Sequence, residues 1–399
     1  MFSVIFSGIF SIHSKVRRIF AVGALGLVMG LFSAPSMSAD TIKIGVLLPT
    51  SGGGASYGIP AENGVKLAIK EINESGGVNG KMLEYFIRDT KLKPAVATAA
   101  ARELITKEGV DVLVGAVSSG VTLAMSEVAK QEKVILFAPI SKSIALTEDK
   151  FHKYMFQSSA NTNIEGRVMA GVLKKVEARK ICATGYDYAY SHDFFASLES
   201  NLEEGMSIVD TFYVKLGTKD YNALVSQLMG SDCDTVAGLI WGGGFVSMVK
   251  QANPFGLFDQ KKFVWGAEVG SHEMSSSLKG DYPEGMWANS YDLWYSPLSD
   301  AHQAFLDDLA ELEGQKETNM YPVTTYNAVK FLAKAIEIAG GTDSDALATA
   351  LEGMTMETPL GPMTIDAKTH RTETGEFWGP MKKVEGSDVL RMSPAEYVY

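Results

Sequence analysis

The sequence is short of the residues that usually announce chemistry. Its 399 residues hold only two cysteines, Cys182 and Cys233, too few for a zinc knuckle. The six histidines are His13, His152, His192, His272, His302 and His370; no two have metal-ligand spacing on a helix, and H-E-x-x-H is absent. No G-x-x-x-x-G-K-[ST] phosphate loop occurs, and neither "SGGGASYG" nor "WGGGFVS" completes a dinucleotide fingerprint. No nucleophile elbow is read. No catalytic residue, metal or cofactor is therefore expected. Positive charge is also scarce: 36 Lys and Arg stand against 47 Asp and Glu, a net charge of −11. That balance excludes nucleic acid and anionic lipid as expected partners. Low-complexity segments and long linkers are missing too.

Long apolar runs are limited to one. "IFAVGALGLVMGLF" follows Lys15, Arg17 and Arg18, and precedes small residues at Ser36, Ser38 and Ala39. This is the order of a secretory signal peptide, residues 1–39, with an apolar run too short to span a bilayer. Its removal would take away three basic residues and no acid, leaving a net charge of −14. Neither cysteine lies near the cleavage region, so no lipid anchor is expected, and a freely diffusing periplasmic protein follows. Cys182 in "KICATG" and Cys233 before "DTVAGLI" read as buried free thiols, with a disulfide the alternative in an oxidising compartment.

What is present is an ordinary globular composition, 46% hydrophobic and 21% charged, at a length that suits two domains. Strand and helix signals alternate. "TIKIGVLLP" reads as a strand and "TSGGGASYG" as a loop. Val65, Ala68, Ile69 and Ile72 then take helical spacing. "MLEYFIRD", "VDVLVGA" and "VILFAP" continue the strands, and Pro94 opens the second helix. The pattern restarts after "KYMFQSSANTN". Helices are expected near residues 164–176, 192–202, 221–229 and 245–252, between strands "KICATGY", "IVDTFYV", "TVAGLIW" and "KFVWGA". A late helix is expected at residues 331–339, and the tail from Gly361 is weakly periodic. Parallel strands need helical crossovers, so the fold class is α/β, with two doubly wound parallel-sheet lobes.

In such sheets ligands bind beyond the carboxyl ends of the strands. Those ends carry Tyr57; Ser118, Ser119 and Gly120; Ser141 and Lys142; Tyr186, Tyr188 and Tyr190; Trp241; and Glu268. Hydroxyls and free N–H groups at a helix start suit a carboxylate. Aromatic rings give an apolar wall with a polar edge, and Glu268 suits an ammonium. Each has a plainer reading: Ser118 and Ser119 as helix caps, Trp241 as core, Glu268 and Lys142 as solvated side chains. Their coincidence at strand ends favours a clamp for a small zwitterion.

The chain resembles the type I periplasmic solute-binding proteins of ABC importers, in the branched-chain amino acid (leucine/isoleucine/valine) group. The landmarks are "IKIGVLLPTSGGGASYG", "NGVKLAIKEINESGGVNGKMLE", "LVGAVSSG", "APISKSIALT" and "MYPVTTYNAV". The resemblance implies two lobes joined by a three-crossing hinge, residues 41–158 with 292–372 and residues 159–291 with 373–399. It implies that Ser119 binds a solute carboxylate, beside Ser141 and Lys142. Tyr57 and Tyr321 would form one wall, Tyr190 and Trp241 would close from the second lobe, and Glu268 would hold the α-ammonium. Lys142 departs from the family's small or hydroxyl residue, and Trp241 from a smaller aromatic. The expected solute is a branched-chain or other hydrophobic amino acid, passed by a monomer to an inner-membrane permease. The alternatives are an aromatic or other small carboxylate, or a sensing module that signals to a receptor.

Overall fold

The computed structural model describes residues 41–398, so the expected leader lies outside the described residues. Among the described residues, no helix is long and apolar enough to cross a membrane.

Five parallel strands make the first sheet: β1 (Ile42–Leu48), β2 (Leu83–Asp89), β3 (Val112–Gly115), β4 (Ile135–Ala138) and β5 (Met155–Gln157), in the order β2-β1-β3-β4-β5. All but the edge strand β2 are buried on both faces, which explains why they read as continuous apolar runs. Ile44, Val46, Val112, Val114 and Phe137 belong to one core cluster. Their strand neighbours Leu47, Leu113, Leu136 and Met155 belong to the other, with helices Pro94–Glu103 and Ser119–Glu132. Helix Ala55–Glu74 packs against helix Pro322–Ala339, where Thr325 Oγ1 donates to the Ala61 carbonyl at 2.5 Å.

The second sheet contains β6 (Lys180–Tyr186), β7 (Ser207–Val214), β8 (Thr235–Leu239), β9 (Lys262–Trp265) and β10 (Trp287–Ser290). A separate hairpin of β11 (Thr355–Thr358) and β12 (Gly361–Thr364) precedes its last strands, β13 (Glu376–Lys382), β14 (Arg391–Met392) and β15 (Glu396–Val398). The order is β14-β13-β10-β9-β8-β6-β7, with β15 also on β13. Strand β13 runs antiparallel to β10, so this sheet is mixed at one edge. The chain leaves the first sheet after β5, returns after β10 and leaves again before β13. The result is two doubly wound sheets with three crossings.

Four expectations change. The helix near the first strand begins at Ala55, so Tyr57 lies in its first turn and not in a loop. Gly58 makes that possible: a Cβ there would sit 2.1 Å from the Pro49 carbonyl oxygen, so only glycine lets the turn rest on the end of β1. The late helix begins at Pro322 instead of residue 331, with proline in its first turn; Val323, Thr324 and Thr325 are β-branched and obscured its start. Helix Asp300–Glu313 had no place in the expected pattern, although Ser299 caps it by accepting from the His302 N–H at 3.1 Å. Finally, Cys182 and Cys233 are joined in a disulfide, with Cα atoms 5.6 Å apart. They are not free thiols: Cys182 lies in β6 and Cys233 just before β8, and these strands pair directly.

Candidate functional site

The order β2-β1-β3 places a switch point between β1 and β3, where successive crossovers take opposite faces and their loops part. Tyr57 follows β1 there, and Ser119 follows β3 as the first residue of helix Ser119–Glu132. The second sheet repeats the plan between β6 and β8. Tyr188 and Tyr190 follow β6, and Trp241 follows β8.

The two sets face one cavity. Its wall is formed by Tyr57, Val117, Ser119, Ile140, Lys142 and Tyr321 from elements of the first sheet, and by Tyr188, Tyr190, Trp241, Ala267 and Glu268 from elements of the second. Among the strand-end residues Ser118, Gly120 and Tyr186 are not on the wall, and neither is Ser141. Ser141 is fully buried behind it, where its carbonyl accepts from Gln157 Nε2 at 2.8 Å and Ser159 Oγ at 2.7 Å.

The apolar wall is a chain of rings. Tyr57 lies edge-on to Trp241 with centroids 5.3 Å apart, and 4.8 Å from Tyr321. Trp241 Nε1 donates to Tyr188 Oη at 3.1 Å. Gly242, at φ 60°, passes beneath the Tyr57 ring; an added Cβ would meet its Cε2 at 3.1 Å. Tyr190 is buried, and its hydroxyl has no hydrogen-bond partner among the described residues.

The polar side holds an arrangement that the sequence did not disclose. Lys142 does not point to water. Its ammonium bonds Glu165 and Glu268 and lies 3.2 Å from Glu376 Oε1. All four are nearly inaccessible: Lys142 5%, Glu165 1%, Glu268 5% and Glu376 3% exposed. The same ammonium sits over the Tyr291 ring, 4.6 Å from its centroid. Asn289 Nδ2 donates to Glu376 Oε2 at 2.6 Å and to Glu268 Oε1 at 3.3 Å. Asn289 Oδ1 accepts from the Glu268 N–H at 2.7 Å. That bond pins an unusual backbone, since Ala267 (φ 61°) and Glu268 (φ 56°) are both left-handed without being glycine. An acid at the end of a core strand is thus aimed inward and held there.

Burial governs the charges. It works against the Lys142 ammonium, but the combined pull of Glu165, Glu268 and Glu376 outweighs it and holds that group well above its ordinary value. Burial, and next the neighbouring Glu376, push Glu165 well up; burial also raises Glu268 against the pull of Lys142. The carboxylate oxygens of Glu165, Glu268 and Glu376 lie within 4.8 Å of one another, a spacing that would suit a metal ion, but the lysine ammonium already bonds them.

Sequence reasoning missed Glu165 and Glu376. Glu165 stands in the first turn of helix Thr162–Lys175, behind the Asn161 cap, where an acid reads as a dipole partner. Glu376 opens β13 in the weakly periodic tail. Its one signal was that, like Glu268, it is a lone acid bordering an apolar strand. The letters G-x-S-x-G do occur once, from Gly54 to Gly58, but Ser56 lies exposed in a helical turn and not on a strand-to-helix elbow.

Residues 41–379 match the family model described as periplasmic binding protein. The leucine-, isoleucine-, valine-, threonine- and alanine-binding protein of Pseudomonas aeruginosa is 30% identical over 359 residues, 89% of this chain and 92% of that one. The leucine-specific-binding protein of Salmonella typhimurium is 25% identical over 350 residues, covering 86% and 91%. In fold, the chain is similar to an ABC transporter solute binding protein of Rhodopseudomonas palustris solved with 4-hydroxybenzoate (TM-score 0.80, 24% identity, 90% of this chain and 97% of that one). It is equally similar to the branched-chain amino acid transporter substrate binding protein of Streptococcus pneumoniae solved with isoleucine (TM-score 0.79, 24% identity, 90% and 99%). With two doubly wound sheets, three crossings and one cavity walled from both, the chain belongs to the periplasmic binding protein family.

Proposed function

We propose that this protein is the solute-binding component of an ABC importer and works in the periplasm. Two lobes, residues 41–158 with 292–372 and residues 159–291 with 373–399, close on one small solute and present it to an inner-membrane permease. The protein performs no chemistry and acts as a monomer. One observation carries this reading: side chains from both sheets meet around one buried cavity, Tyr57 against Trp241 and Lys142 against Glu268. Closure by population shift gives such contacts their use, since they form only when the lobes come together.

The solute is a small organic acid. Its carboxylate meets Ser119 and the free N–H groups that open helix Ser119–Glu132. Its body lies among Tyr57, Tyr190, Trp241 and Tyr321, with Ser141 supporting the wall from behind. The solutes named for the relatives, aliphatic amino acids and 4-hydroxybenzoate, all pair a carboxylate with a compact body. The names favour a hydrophobic amino acid, which would need Glu268 for its ammonium; the lysine on Glu268 favours an acid without one.

The test is native mass spectrometry of residues 40–399 as purified, then calorimetry with leucine, valine, phenylalanine and 4-hydroxybenzoate. Binding of at least one is expected, weakened about tenfold by Ser119→Ala through the loss of one hydrogen bond to a charged group. No retained solute and no heat with any of the four would refute the reading.

A further inference from the structure

We infer that Lys142 is a built-in occupant of the site's cation position, so that the captured solute is a carboxylate with an apolar or aromatic body and no α-ammonium. The inference rests on the solute-binding reading and narrows its substrate class.

The cavity wall carries one carboxylate, Glu268, and one ammonium, Lys142, and these are bonded to each other. Among the described residues, no other acid lies on that wall to receive a solute cation. Glu165 and Glu376 stand behind Lys142 and hold the same ammonium. An arriving amino acid would have to take Glu268 from Lys142, which would keep Glu165 and Glu376 and stay beside the incoming ammonium. Breaking one side of a buried pair costs far more than an exposed one. Exchanging one ammonium for another returns no compensating bond. With Lys142 in place the two ammonium groups would share a buried site in which burial pushes Glu165 and Glu268 towards their neutral forms, so the like charges are only partly offset and disfavour binding.

The remaining polar features suit an acid. Ser119 and the helix start are donors, and the Tyr190 hydroxyl is buried on the wall without a partner, free to donate to a solute oxygen. The rings of Tyr57, Trp241 and Tyr321 supply a flat apolar surface that a planar acid or a branched chain can fill.

Matched pairs that differ only in the amine test this directly. Calorimetry would compare L-leucine with 4-methylpentanoate, and L-phenylalanine with 3-phenylpropanoate. On the unaltered protein the amine-free member of at least one pair should bind about 100-fold tighter than its amino acid. Lys142→Ser opens the cation position and should narrow that preference at least about tenfold. Lys142→Ser/Glu165→Gln serves if three uncompensated carboxylates prevent folding. Leucine or phenylalanine binding the unaltered protein as tightly as its partner acid would overturn the inference and leave the solute-binding reading standing. A preference unchanged in a folded Lys142 variant would equally overturn it. No binding by any of the four, with no solute retained on purification, would remove the solute-binding reading as well.

Discussion

Replacing Lys142 with methionine should destabilise the fold by about 3–5 kcal/mol at pH 8, the range for breaking a buried ion pair from one side. The estimate follows from burial. Glu165, Glu268 and Glu376 surround the ammonium with almost no access to water, so without it their charges repel in a poorly screened space. The loss should depend on pH, and its sign can be worked out. Burial already raises Glu165 and Glu268 above their unfolded values, and removing the lysine raises them further. A carboxyl raised on folding gives stability that is present at low pH and lost as pH climbs through the folded value. The gap between variant and parent should therefore be widest at pH 8 and narrow towards pH 5. Closing about 3 kcal/mol of it takes about two pKa units summed over the cluster. Urea unfolding followed by tryptophan fluorescence, with Trp265 and Trp378 fully buried as reporters, measures both free energies. A variant as stable as the parent at pH 8, or a gap that widens on acidification, would show that the cluster does not hold the charges described.

Three further outcomes are expected. Replacing both cysteines by serine opens a loop of sequence separation 51, costing about 4 kcal/mol by loop-closure entropy; chemical unfolding reads this, and mass spectrometry after alkylation should find no free thiol in the native parent. Gly242→Val puts a branched side chain at φ 60° under the Tyr57 ring, and should weaken solute binding by at least about tenfold through strain in the closed cleft; unchanged affinity would contradict that packing. Glu273, which accepts from the Met320 N–H, is pushed up to about 7 by burial, so it costs stability as pH rises from its unfolded value of about 4.5 through 7. Glu273→Gln should therefore raise the melting temperature at pH 8 and leave it nearly unchanged at pH 4.5, and the reverse order would refute the assignment.

The fold was legible because the inner strands of both sheets are buried on both faces. Runs such as "IKIGVLL" and "VLVG" have no solvent side and so declare themselves as strands. The wall of the cleft was legible for a related reason: in a doubly wound sheet the residues following each strand must cluster, which brought Tyr57, Ser119, Tyr190 and Trp241 together on paper. The charge cluster was not legible. Lys142, Glu165, Glu268 and Glu376 come from four segments as far as 234 positions apart, and nothing local separates a buried lysine from a solvated one. Helix Asp300–Glu313 went unread despite its serine cap, because the acids in "DDLAELE" hide a narrow apolar face of Phe305, Leu306 and Leu309. The disulfide depends on two cysteines meeting across neighbouring strands, a matter of register that spacing alone does not give.

The order in which the chain visits its two sheets also sets when each can be finished. Helix Ala55–Glu74 is covered by Pro322–Ala339, and the Thr325–Ala61 bond closes across 264 positions. A growing chain that has emitted the whole first sheet still lacks the surface that seals it, and β13, which completes the second, comes later still. Contacts of such separation slow folding, because the loop must be closed before any of them repays its entropy. On the proposed periplasmic location, a core that cannot close early would keep the chain threadable until its last residues have crossed the membrane.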